Sequence, residues 1–385
     1  MKKKIIFVTE ALWLGGIEIS LVNVLKNIDY DRFDVTVLAL RNYRDLESQI
    51  PAQCRLIIAD RMTGSYPFKR LFGLMEKPRN AAKFRRFIWK VLCLLLKAPE
   101  AALWAKHIRT LVPGEHFDTA VIYDNRTAET VVRGIPADRY LMFYHHGAMR
   151  REYHDEIGYK KSEKIITVSE KTVDMLKAFR PDHAHKIIVL HNIVDIENVL
   201  TKSREPVAAF PAEAFHLVSC GRLTEAKGID WAIQAMRCLM DKGFTELHWW
   251  VVGGGPDEES LKHRAEAADV ADHFHFLGMQ SNPYPYIANA DLYIQPSRFE
   301  NYSVVILEAM TLCKPILATI PAAAIQIQSG ENGLLCEPDP ESIARGIEYL
   351  YHHREEMDRY VQTLKENSLE KQNEEILNSL YRLLG

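Results

Sequence analysis

Two glutamates with seven residues between them, Glu300 and Glu308, stand in the stretch QPSRFENYSVVILEAM, and the residues from Val304 to Leu307 between them are apolar. Glu300 falls in a turn after the run DLYIQP, whereas Glu308 falls on a helical pattern from Ser303 to about Leu312 that is apolar nearly all round. Such a helix is buried. A buried carboxylate without a partner costs several kcal/mol, about what hydrogen bonds or a ligand must return. A core ion pair accounts for Glu308 as well as a ligand does, and the pattern leaves both open. The amides of Asn301, Tyr302 and Ser303 open the helix and offer an anion site, because first-turn N–H groups lack intrahelical acceptors. A second constellation, SCGRLTEAKG, places Arg222 and Lys227 on a loop just after a strand. Two cations there suit a diphosphate, although Lys227 also fits a solvated loop. Gly253, Gly254 and Gly255 follow the strand LHWWVV and permit close backbone approach, to a ligand or within a tight turn. Gly15 and Gly16 separate the first strand from its helix, with Glu18 in the first helical turn, where an acid meets the helix dipole. His145 and His146 end the strand YLMFY beside Gly147, at hydrogen-bonding reach of a substrate hydroxyl, and no metal-ligand spacing surrounds them.

The elements that position these residues alternate. Apolar β-branched runs (IIFV, DVTVLAL, CRLII, FDTAVIY, YLMFY, KIITV, KIIVL) are separated by helical patterns in the first half, and FHLVSC, LHWWVV, HFHF, DLYIQP and PILAT continue the scheme in the second. Strand–helix alternation implies parallel sheets covered on both faces, hence an α/β fold of two Rossmann-like, doubly wound domains. In such sheets ligands bind beyond the carboxyl ends of the strands, where each motif above lies, and two facing domains would make a cleft. The length of 385 residues exceeds what one core usually serves. The proline-bearing stretch around 195–212 marks the boundary. We read 1–195 as an N-terminal domain with a basic helical insertion over 61–110, 196–368 as a C-terminal domain, and 369–385 as a terminal helix packing back on the first domain.

Six cysteines without paired spacing read as free thiols of a reducing compartment. The apolar run after MKKK is too short for a signal peptide, so the expected location is the cytoplasm. Over 61–110, twelve Lys or Arg face two acids, a balance of +10 in a chain whose net charge is −3. That segment fits contact with an anionic membrane surface at the inner face, and also a solvated helical insertion. No nucleic-acid fold accompanies the charge. The acidic pair DYD at Asp29 to Asp31 lies between the first helix and second strand and reads as a turn.

Taken together, LGGIEISLVNVL, HHG, IITVSEKT, LHNIVD, GRLTEAKGID, VVGGGP, the glutamate-pair region, KPILAT and GENGLL resemble the family 4 retaining glycosyltransferases of the GT-B fold, over nearly the whole chain. The resemblance implies a hexose or N-acetylhexosamine moved from a nucleotide sugar, with UDP expected, to a glycan or lipid-linked acceptor in capsule or lipopolysaccharide assembly. It implies Glu308 on the ribose, Glu300 on the donor sugar, Arg222 and Lys227 on the diphosphate with the amides of Asn301, Tyr302 and Ser303, and His146 facing the transferred sugar. It further implies Gly15 and Gly16 beside the donor phosphate, Gly254 along it, and backbone at Gly278 and Met279 against the base. Neither a metal nor another cofactor is implied, and no enzymic nucleophile. The turn Asn301–Tyr302–Ser303 replaces a glycine-rich one, and Cys313 stands where glycine is frequent. Two other readings are a non-catalytic GT-B partner subunit and a nucleotide-sugar epimerase.

Overall fold

A computed structural model describes residues 2–59, 102–147, 156–207, 210–211 and 213–385. The chain divides into two compact units, Met1–Leu190 with Ser379–Gly385, and His191–Asn378.

In the first unit seven parallel strands, β1 (Lys3–Thr9), β2 (Phe33–Ala39), β3 (Arg55–Ile58), β4 (Phe117–Ile122), β5 (Ala137–Tyr144), β6 (Lys164–Thr167) and β7 (Ile187–Val189), lie in the order β3-β2-β1-β4-β5-β6-β7. Each seven-strand run expected from the sequence is present. The order reverses between β1 and β4, so the loops after those two strands diverge and leave a crevice at their carboxyl ends. Ile5 to Val8 of β1 are wholly buried, as a central parallel strand covered on both faces requires. The segment 61–101, most of the basic insertion, lies outside the described residues. Its end forms a helix over 102–111 in which Ala105 and Ile108 are buried while Lys106 and Arg109 face solvent. Among the described residues no helix is long and apolar enough to cross a membrane. The DYD stretch is a turn closed by Asp31 N–H donating to Asp29 Oδ1 at 2.9 Å.

The second unit carries β8 (Phe215–Cys220), β9 (Leu247–Val252), β10 (Phe274–Gly278), β11 (Leu292–Gln295), β12 (Ile316–Thr319) and β13 (Leu334–Cys336), all parallel, in the order β10-β9-β8-β11-β12-β13. Its switch point falls between β8 and β11. The stretch read as a break after 195 holds a helix, Ile196–Lys202, capped by Asp195, whose side chain accepts from Asn198 N–H. The terminal helix Leu369–Leu384 begins in this unit and ends in the first, where Tyr381 packs on Phe33 at 5.5 Å and donates to Asn27 C=O at 3.2 Å.

Gly228 is required by close approach. It sits at φ +65 between the β8 loop and the helix Ile229–Asp241, and a Cβ there would stand 2.0 Å from Pro296 O. Gly228→Ala is expected to cost about 3 kcal/mol or more through clash and left-handed strain, lowering the melting midpoint by about 6–12 °C. Differential scanning calorimetry reads this directly, and a midpoint within 2 °C (~1 kcal/mol) of wild type would rule out the close contact.

Candidate functional site at the second switch point

The loops that leave β8 and β11 meet at the reversal of strand order, and the residues with chemical capacity collect there. At the end of β11, Tyr293 OH donates to Gln295 Oε1 at 2.6 Å, which turns the Gln295 amide N–H₂ toward Ser297 Oγ (2.7 Å) and Glu300 Oε1 (3.0 Å). Ser297 Oγ donates to the same Glu300 oxygen at 2.8 Å, and Lys227 Nζ from the β8 loop reaches it at 2.5 Å. Glu300 Oε1 therefore receives three donors. All the bonds found among the described residues fall on Oε1, so Oε2 is the oxygen left to a ligand. The ion pair is mostly shielded, with 25% of the Lys227 side chain and 13% of the Glu300 side chain exposed, and it crosses from one switch-point loop to the other. Arg298, next to this turn, forks onto Asp230 with two bonds of 2.7 Å and lies over Trp231 at 3.9 Å, fixing the loop from outside.

Arg222 is exposed and has no ion pair among the described residues. The three glycines after β9 are explained largely by packing of loop on loop. A Cβ at Gly253 would meet Gly221 O at 2.0 Å and one at Gly255 would meet Leu223 O at 2.3 Å, while Leu223 N–H donates to Gly254 O at 2.9 Å. Of the two accounts the sequence left open, the tight turn describes Gly253 and Gly255. Gly254 is buried and lies 3.6 Å, at its Cβ position, from Met279 Cε. Gly278 takes φ +68 with open space where a side chain would be, and Met279 is 62% exposed beside it.

Glu308 lies in the helix Val304–Thr311 and is 3% exposed. Among the described residues no cation pairs with it, so the core ion pair is not the arrangement found. Its partner is Tyr284, whose hydroxyl donates to Oε1 at 3.1 Å. Burial pushes the Glu308 carboxyl up to about 8, only partly opposed by that bond. Tyr293 feels the charges of both Glu300 and Glu308, and Cys220 those of Glu308 and Lys227, which places all three groups around the ends of β8 and β11.

One expectation about the helix entrance is corrected. Ser303 N–H is not open to an anion: it donates to Gln326 Oε1 at 2.8 Å, while Gln326 Nε2 returns a bond to Ser303 O at 2.9 Å. Ser303 instead caps the helix, its hydroxyl accepting from Ile306 N–H at 3.4 Å. The side chain of Tyr302, in the turn that replaces a glycine-rich one, is folded inward. Its ring is 7% exposed, stacks on His191 at 4.5 Å, and its hydroxyl accepts from Gln372 at 3.0 Å. Asn301 is half-buried in the turn before it. Cys313 has φ 50, a left-handed conformation that explains why glycine suits this position.

Gly15, Gly16 and His146 belong to the first unit, at the carboxyl ends of β1 and β5. Gly15 caps the helix Gly16–Asn27 in an extended conformation, and Glu18, 1% exposed, folds its carboxyl back over it. Burial holds that carboxyl at about 7, with Asp124 pushing it further up. Asp124 follows β4, is buried, and is kept below the usual carboxylate range because the clasp of Arg126 outweighs its burial. Arg126 also reaches Glu10 at 2.7 Å, and Glu10 holds Arg41 at 2.7 Å. His145 stacks on Phe143 and is driven by burial down to about 3, hence neutral; His146 is half-buried, edge-on to Tyr144 at 5.9 Å. Gln295, Ser297, Tyr284 and Gln326 were not singled out from the sequence; a polar residue closing the apolar strand LYIQ was the available signal for Gln295.

Residues 202–367 match the family described as "Glycosyl transferases group 1". Similar proteins include the lipopolysaccharide core biosynthesis glycosyltransferase LpsE of Rhizobium meliloti, 29% identical over 167 residues that cover 43% of this chain and 47% of that protein. Another is the N-acetylgalactosamine-N,N'-diacetylbacillosaminyl-diphospho-undecaprenol 4-alpha-N-acetylgalactosaminyltransferase of Campylobacter jejuni, 26% identical over 195 residues, 50% of this chain and 52% of that one. The chain spans about half the length of these curated relatives. Among solved structures, a mutant form of S. aureus TarM in complex with Fondaparinux, alpha-GlcNAc-glycerol and UDP superposes with a TM-score of 0.75 at 14% identity, covering 100% of both chains. The fold is GT-B.

Proposed function

We propose, from the match of residues 202–367 to the group 1 glycosyl transferases and from the GT-B fold, that the chain moves a hexose or N-acetylhexosamine from a UDP-sugar to a glycan or lipid-linked acceptor, with retention and without a metal or other cofactor. The observation that carries the reading is the meeting of Lys227, Glu300 and Glu308 at the switch point of a parallel sheet. Lys227 and Arg222 neutralise the diphosphate, Glu300 Oε2 accepts from hydroxyls of the donor sugar, and Glu308 accepts from the ribose. His146 faces the transferred sugar. Gly278 and Met279 border the base. In the transfer step the bond from the sugar's anomeric carbon to the diphosphate oxygen breaks on the face where the acceptor oxygen bonds. The acceptor's proton passes to the departing phosphate oxygen, so no protein nucleophile is consumed. The relatives' names support lipopolysaccharide or related glycoconjugate assembly as the setting, and the TarM complex supports UDP as the nucleotide.

Thermal shift against UDP, GDP and ADP tests the nucleotide. UDP at a hundred times its dissociation constant is expected to stabilise by about 2.7 kcal/mol, with GDP and ADP well below it. No shift with any of the three would overturn the reading. Conversion of the donor sugar to its epimer without acceptor would replace it with the epimerase reading, and UDP binding without transfer by the isolated chain with the partner-subunit reading.

A further inference from the structure

We propose that Trp13 and Tyr43 form an aromatic platform, at the carboxyl edge of the first unit's sheet, on which an uncharged pyranose ring of the acceptor glycan stacks. This rests on the glycosyl-transfer reading above. Trp13 follows β1 and Tyr43 follows β2, and their rings meet edge to face with centroids 5.6 Å apart at 60°. The two loops are stitched by backbone: Leu12 N–H donates to Tyr43 O at 3.3 Å and Leu46 N–H to Leu12 O at 2.9 Å, while Leu14 N–H donates to Asp45 Oδ2 at 3.1 Å. Beneath them Leu12, Val22, Ala39 and Leu46 already fill the local core. The rings are therefore not needed as packing, and Tyr43 is left 50% exposed.

Trp13 is held in place. Its Cδ1 and Nε1 lie 3.2 and 3.3 Å from where a Gly15 Cβ would stand, so the indole rests on bare backbone. The Glu18 carboxyl, 1% exposed, closes over the same glycine, its Oε2 2.6 Å from that Cβ position. An aromatic ring seated on a glycine turn and braced edge to face by a second ring is held in one orientation, and stacking needs that.

The rim decides the class of ligand. Arg41 is paired with Glu10 at 2.7 Å, and Arg44 with Glu47 at 3.1 Å and with Asn42 at 2.6 Å. With the cations satisfied by acids the rim has no surplus charge for an anion, yet it offers donors and acceptors around an apolar face. A pyranose matches this, since its C–H face is apolar and its edge carries hydroxyls. Two rings are too small an area for a stable protein interface.

The test uses the full-length protein with four probes, the methyl glycosides of glucose, galactose, N-acetylglucosamine and N-acetylgalactosamine. Saturation-transfer NMR on the wild type is expected to pass magnetisation from aromatic protons to the ring protons of at least one probe, and Trp13→Ala and Tyr43→Ala to abolish it. Tyr43→Phe is expected to keep it. In transfer assays Tyr43→Ala should raise the KM for that glycoside about tenfold with the KM for UDP-sugar unchanged. Absence of ring-to-sugar transfer with all four probes, or an unchanged acceptor KM in both alanine variants, overturns the platform. A wild type that shows ring-to-sugar transfer but no UDP shift overturns the proposed function and leaves the platform standing.

Discussion

Glu308→Ala is expected to weaken UDP-glucose binding at least a hundredfold while leaving the empty protein, above pH 8 where the carboxylate is ionised, as stable as the wild type or more so. The two effects have one cause. Glu308 is 3% exposed with a single phenolic donor, Tyr284, so in the empty protein its ionised form is poorly solvated. Two ribose hydroxyls would supply the missing donors, and hydrogen bonds to a charged group contribute about 1.5–3 kcal/mol each. Loss of both is ~3–6 kcal/mol, or a factor of about a hundred or more. The pH dependence follows with opposite signs for binding and folding. Burial raises the carboxyl from about 4.5 to about 8. The folded protein thus holds this proton more firmly than the unfolded chain, so its contribution to stability is complete below about 4.5 and is lost as pH rises through about 8. Glu308→Gln, which keeps the shape without the charge, should melt above wild type at pH 9, with the gap closing by pH 5. Ligand binding needs the ionised acceptor and should strengthen in the wild type between pH 6 and 8.5. UDP-glucose is the suitable probe, because its diphosphate is doubly esterified and does not titrate in that range. Calorimetric affinities that are flat with pH and equal in wild type and Glu308→Ala would remove Glu308 from the site.

What the sequence made legible follows from which contacts are local. Strands such as Ile5 to Val8 announce themselves because a buried parallel strand is apolar on both faces, and the half-buried edge strands β3 and β7 were still readable as the apolar runs CRLII and KIIVL. β13 was not: Leu334–Cys336 is three half-buried residues at an edge, too short for a period or a run. The position of Glu300 after a strand was legible, but its three donors to one oxygen were not, since Lys227 lies 73 residues away. The same holds for the helix entrance. Local pattern placed a free amide at Ser303, and a glutamine 23 residues on, in a stretch with no distinguishing motif, occupies it. Of the paired histidines His145 and His146, which one is driven neutral by burial depends on rings from β4 and β5 that no spacing predicts.

Glu300→Gln is expected to separate binding from turnover: equal or tighter UDP affinity, with transfer slowed a hundredfold or more. In the empty protein Lys227 Nζ is committed to Glu300 Oε1 at 2.5 Å. A diphosphate can engage Lys227 only by sharing or displacing that bond, so part of each charge-assisted contact, about 1.5–3 kcal/mol, is offset by the one given up. Removing the Glu300 charge frees the ammonium beforehand, and UDP, which has no sugar for Glu300 to hold, should gain. Transfer should lose, because the donor sugar then lacks its charged acceptor, an orienting contact whose removal costs of order a hundredfold. Lys227→Ala should do the reverse for the nucleotide. It weakens UDP about tenfold to a hundredfold and slows turnover by more, since the negative charge that Lys227 meets grows as the sugar leaves. The double variant Lys227→Ala/Glu300→Gln gives the coupling. If the ion pair is exchanged during binding, the two changes in UDP affinity are non-additive, the glutamine substitution having nothing left to release once Lys227 is gone. Strict additivity, or a Glu300→Gln protein that binds UDP more weakly than wild type, would show that Lys227 is a structural partner of Glu300 and not a diphosphate ligand.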